Sequence, residues 1–155
     1  MDAAGGLMKI LFASGFQHLP QIFGGVMSNS HEIALALRTA GHQAAVAADL
    51  QPDDWLGIGT RVLGKFTDKR SVYDRILGYP AYRRWNFLES LPDLVEVIKP
   101  DVVVVMLGVN DENRKGKGNA VPVATYKKNL ETITDKVQAA GGAKKPVKVF
   151  RRRRG

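Results

Sequence analysis

A chain of 155 residues can bury one hydrophobic core. Its 45% apolar and 25% charged content is that of a soluble globular protein, and the lack of cysteine excludes disulfides and thiolate metal sites. The net charge is +8, but Arg151 to Arg154 supply four of those charges, and such a terminal run reads as a solvated tail rather than a nucleic-acid contact.

Taken in chain order, Met8 to Ala13 (MKILFA) is a short apolar run ending at Ser14-Gly15 and predicts the first strand. Ser28 to Ala40 places Ile33, Leu37 and Ala40 at helical spacing. Gly41 is a helix stop, and His42 leads into a second strand over Gln43 to Ala48. Strand, glycine loop, helix, Gly-His and strand make a βαβ unit.

Residues 51–86 give weaker signals. Pro52-Asp53-Asp54 predicts a turn, and Gly57, Gly59 and Gly64 interrupt regular structure around a short strand at Arg61 to Leu63. Ser71 and Asp74 have capping-box spacing, which predicts a helix through Leu77, with a further helical turn from Ala81 to Trp85. Tyr73, Tyr79, Tyr82 and Trp85 then read as packing residues of those helices.

From Ser90 the pattern sharpens. Ser90-Leu91-Pro92-Asp93 predicts a helix start, with Leu91, Leu94, Val95 and Ile98 inward and Pro100 at the end. Val102 to Met106 is fully apolar and predicts a central parallel strand buried on both faces. Val123, Tyr126, Leu130, Ile133 and Val137 repeat at spacings of three and four, and Pro146 to Phe150 is a candidate last strand. The fold class is therefore α/β: a Rossmann-like or flavodoxin-like three-layer sandwich, with a mostly parallel sheet of about four strands in the order 2-1-3-4.

MKILFAS, Gly24-Gly25, HEIALALRTAGH and KPDVVVV carry a resemblance over residues 8–105. This part resembles the N-terminal Rossmann-like domain of a family-4-like glycosyltransferase of the two-domain GT-B class. The resemblance implies that Gly24 and Gly25 face the diphosphate of a nucleotide-sugar donor. Glycines there permit close backbone approach, and a helix N-terminus offers free N–H groups to an anion. It also implies a second Rossmann domain with a Glu-x7-Glu motif, and no residues of this chain supply one.

Gly108-Val109-Asn110-Asp111 and the helix VPVATYKKNLETITDKVQAAGG carry a second resemblance, over residues 100–142. This part is similar to the Gly-x-Asn-Asp block of SGNH-type esterases, and the likeness implies that Asn110 donates to an oxyanion. Ser14, at the end of the first strand, is the corresponding nucleophile candidate. The Gly-Asp-Ser block and the late Asp-x-x-His block of that family are absent. His18, in the loop after the first strand, reads as a surface residue, and His31 and His42 read as structural.

The chain thus reads as a recombined or truncated domain without efficient catalysis, of shuffled or metagenomic origin. Residues 1–7 form a flexible leader, 8–150 a single Rossmann-like domain and 151–155 a basic tail; within the domain, 8–105 are glycosyltransferase-like and 106–150 esterase-like. No cofactor, metal or membrane span is expected, and a cysteine-free chain fits the cytoplasm. Expected partners are a nucleotide sugar or phosphate bound weakly, and further copies of the chain in a homodimer or larger homo-oligomer.

Overall fold

The computed structural model describes residues 6–67, 71–85, 87–106, 122–140 and 148–149. In chain order the elements are β1 (Lys9–Gln17), α1 (Gly25–Thr39), β2 (Gln43–Asp49), α2 (Trp55–Thr67), β3 (Ser71–Asp74), β4 (Ala81–Arg84), α3 (Phe87–Ile98), β5 (Val102–Met106), α4 (Val123–Ala139) and β6 (Lys148–Val149). The strands form one sheet in the order β3-β4-β2-β1-β5-β6. Among the described residues, β3 alone runs antiparallel to its neighbour.

The α/β class stands, while the expectation of four strands in a mostly parallel sheet is corrected to a mixed sheet with six strands among the described residues. The strands predicted from the apolar runs are neighbours as β2-β1-β5-β6. The addition is the pair β3–β4, which joins the β2 edge where helices were expected.

Two apolar layers sandwich the sheet. Leu11, Ala13, Ala45, Ala47, Val103 and Val105 pack with Leu91, Leu94 and Val95 of α3 and Val137 of α4. On the other face Ile10, Phe12, Ala44, Val46 and Ala48 pack with Ala34 of α1 and with Tyr79. Such alternation follows from the two-residue period of a strand. β5 is not uniformly buried: Val103 and Val105 are inaccessible, but Val102, Val104 and Met106 are half-buried. Their face meets the α1 layer, which covers β5 less fully than α3 and α4 cover the opposite face.

Gly41 ends α1 with φ 91°, a left-handed conformation in which a side chain would be strained. α3 starts before the predicted Ser90 and holds Pro92 in its interior. In α2, Asp54 Oδ1 accepts the Gly57 N–H at 2.9 Å and so caps the helix. A Cβ on Gly57 would lie 1.9 Å from the Gln51 carbonyl oxygen, whereas one on Gly59 would meet nothing within 4 Å. In dilute protein, Gly57→Ala is expected to lower stability by about 1–3 kcal/mol, because backbone must shift. Gly59→Ala should raise it by about 0.5–1 kcal/mol, through helix propensity. Thermal melts of the two variants check this, and equal shifts would contradict it.

Candidate functional site

The site is built at the carboxyl ends of β1 and β5. β1 connects through α1 to β2 on one side, while β5 lies on its other side and is entered from α3 across the opposite face of the sheet. Ser14 is level with Met106, the last residue of β5, and β1 runs on to Gln17. A topological switch of this kind leaves a crevice beyond the strand ends, where open α/β sheets bind ligands. The pairing of β1 with β2 is irregular between Ser14 and Gln17, which re-aims the chain into the following loop.

α1 begins at Gly25 beside this crevice. Gly24 is extended (φ 176°, ψ 163°), no side chain caps the helix, and its first turn holds no acid. A Cβ on Gly25 would meet nothing within 4 Å, so the backbone is approachable there. The macrodipole and free N–H groups of such a terminus favour an anion. Ser30 Oγ donates to the Val26 carbonyl at 2.6 Å and lies 3.0 Å from Met106 Sδ, tying the first turns of α1 to the end of β5.

Beneath the loop lies a buried polar network with no counterpart in the sequence reading. His18 is buried rather than at the surface, the reverse of its expected position. Its Nε2 lies 2.8 Å from the Tyr79 hydroxyl, and His31 Nδ1 lies 2.9 Å from the same oxygen. A phenol has one hydrogen to give, so it donates to at most one of these rings and accepts from the other. Burial, then the Arg83 guanidinium, then His31, push the His18 pKa down to about 4. Burial holds the Tyr79 hydroxyl up at about 12.

Arg83 anchors the network from β4. Its Nε donates to Asp74 Oδ2 at 2.8 Å, Nη1 to the His18 carbonyl at 3.2 Å, and Nη2 to the Leu19 carbonyl. The Arg83 side chain is wholly buried and that of Asp74 nearly so. Further along the loop, Gln21 Nε2 donates to Asp54 and to the Gln51 carbonyl. The segment from Ser14 to Gly25 is thereby fixed by β4 and by the start of α2.

Ser14 is buried, and its Oγ accepts the Phe16 N–H at 3.2 Å. The two histidines near the loop meet at Tyr79 and are not hydrogen-bonded to Ser14. Asn110 and the whole Gly-x-Asn-Asp block lie outside the described residues, as does the Arg tail. Ser14 pairs in register with the end of β5, and Gly24 and Gly25 open the helix that follows β1, while Asn110 lies outside the described residues. His42 is structural: its Nδ1 accepts the Met8 N–H at 3.3 Å. Tyr73 and Tyr82 pack with ring centroids 5.0 Å apart across the β3–β4 pair, so they are strand partners rather than helix residues.

Among the described residues no three acidic or histidine side chains converge as a metal site, and no helix is long and apolar enough to cross a membrane. A groove of about 290 Å³ between α3 and α4, lined by Leu91, Pro92, Ile133 and Val137, lies on the face of the sheet away from α1. No signal in the sequence could have assembled the His18–Tyr79–His31 triad, whose histidines lie 61 and 48 positions from Tyr79 along the chain. No family model, curated protein or solved structure matches this chain.

Proposed function

We propose that the chain is a recombined Rossmann-like domain, glycosyltransferase-like over residues 8–105 and SGNH-esterase-like beyond them. In this reading it retains weak binding of a nucleotide sugar or related phosphate ester without efficient catalysis. The observation that carries the reading is the uncapped start of α1 at an extended Gly24 and an open Gly25, beside the β1–β5 switch point. The buried and already hydrogen-bonded Ser14 speaks against hydrolysis, since among the described residues no base is hydrogen-bonded to it, and such a serine is a poor nucleophile at neutral pH. The reading includes self-association and, for a cysteine-free chain, a reducing cytoplasm.

Calorimetric titration with uridine diphosphate and with inorganic pyrophosphate tests it. We expect saturable binding of both with a Kd of about 1 mM, weakened about tenfold by Gly25→Val. A Cβ at that position meets nothing within 4 Å, so the fold should survive the branched side chain while the backbone is screened from the ligand. Absence of saturation at several times that concentration, or an unchanged Kd in the variant, would defeat the proposal. So would ester turnover by purified protein that vanishes in Ser14→Ala.

A further inference from the structure

α2 is turned inside out. Its inward face consists of Leu56, Gly57 and Thr60, while Trp55 (63% exposed), Ile58 (51%), Val62 (51%) and Phe66 (83%) form an outward stripe flanked by Leu63. At 100° per residue these outward positions share one face of the helix. Ile22 and Phe23 continue the apolar surface from the neighbouring loop, which Gln21 ties to the α2 cap at Asp54. The apolar area left open is roughly 600 Å² per copy, at the upper end of what a soluble monomer carries.

We propose that this face is a self-association surface, on which a second copy of the chain packs antiparallel about a two-fold axis near Gly59. This rests on the α2 surface alone and is independent of the phosphate-binding reading. Three observations select a second copy as the occupant. The face is self-complementary in charge: Asp53 and Asp54 stand at its start and Lys65 toward its end, Arg61 is engaged within its own chain by Asp53 at 3.8 Å and by the Pro52 carbonyl, and the helix itself holds no acid. Antiparallel pairing about Gly59 sets Asp53 against Lys65 of the other copy, Trp55 against Leu63, and Phe66 against the Ile22–Phe23 loop. Parallel pairing would set like charges together.

The second observation is Gly59 itself. Unlike Gly57, it has open space where a Cβ would sit, so the fold of one chain does not require glycine there. At a crossing point a glycine lets two helices approach closely. Third, the area is sufficient, since two copies would bury roughly 1,200 Å², within the range of specific interfaces.

Sedimentation velocity of the full chain at about 50 µM in about 0.15 M salt tests this, alongside Val62→Glu and Phe66→Glu. Both side chains are at least half exposed, so either variant should fold by circular dichroism, and each covers for the other. We expect a dimer whose Kd rises at least about 100-fold in both variants. Asp53→Lys and Lys65→Asp should each weaken it about tenfold, and the combined swap should restore it to within about threefold. A monomer at this concentration, a dimer indifferent to Val62→Glu, or a swap that fails to restore would overturn the proposal. So would a monomer that binds phosphatidylglycerol–phosphatidylcholine vesicles through the same residues, since the face would then serve a lipid surface.

Discussion

Replacing Arg83 with methionine is expected to destabilise the protein by about 3–5 kcal/mol, a large share of the ~5–15 kcal/mol that holds a domain of this size together. The guanidinium is fully buried, makes a 2.8 Å ion pair with Asp74, and satisfies the carbonyls of His18 and Leu19. Removing it leaves a buried carboxylate whose other oxygen, Oδ1, already has no hydrogen-bond partner. An uncompensated buried charge is what makes breaking such a pair far worse than never having had it. R83M/D74L should therefore recover much of the loss, because it removes both charges together. Urea denaturation of the wild type, both single variants and the double variant measures the coupling. A loss below about 1 kcal/mol in Arg83→Met would show that the ion pair is not the anchor of the loop.

Acid should weaken the fold once the pH falls below the ordinary histidine value of 6.5. The His18 pKa is about 4 in the folded state and 6.5 in the unfolded chain, so the folded state resists a proton that the unfolded state accepts. Its contribution is complete above pH 6.5 and declines as the pH falls toward 4. Over that window the loss amounts to about 3 kcal/mol, at about 1.4 kcal/mol per pH unit. Tyr79 acts at the other end of the scale: with its hydroxyl at about 12 in the fold against 10.0 unfolded, stability declines as the pH rises between these values. Denaturation midpoints at intervals from pH 7 to pH 5 check the acid arm. His18→Gln keeps an amide donor near Tyr79 but cannot titrate, so its slope should be flatter by one proton's worth. Parallel curves for variant and wild type would refute the assignment.

The elements read most clearly from sequence are those whose burial is apolar and regular. β1, α1, β2 and α4 follow from uniform runs or repeats of three and four, and the inward residues of α3 were visible as Leu91, Leu94 and Val95. Residues 55–84 were misread for identifiable reasons. In α2 the glycines suggested breaks, yet Gly57 serves close contact with Gln51, and the apolar stripe faces outward. In β4 the inward positions are Ala81 and Arg83, so a buried charge erased the alternation that marks a strand. In β3 the spacing of Ser71 and Asp74 imitated a helix cap, whereas Asp74 is the partner of Arg83. Gly24 and Gly25 were legible as a glycine pair ahead of a helix, and α1 does start there, although neither the extended Gly24 nor the open Gly25 requires glycine. His18 was misplaced because its burial depends on Tyr79 and Arg83, which no local pattern connects to it.

The attachment of the loop after β1 to distant residues also sets an order of assembly. β1, α1 and β2 are contiguous in the chain, and once Asp49 has been synthesised they contain everything needed for the β1–β2 pairing. The intervening segment from His18 to Leu19 must wait, because its partners Tyr79 and Arg83 emerge 61 to 65 residues later. Closing so long a stretch of chain carries an entropic cost that local pairings avoid. The loop that leads to Gly24 is therefore anchored late, after the sheet has begun to form. A fragment ending before residue 79 would hold this loop by the contacts of Gln21 with Gln51 and Asp54 alone, without Tyr79 and Arg83.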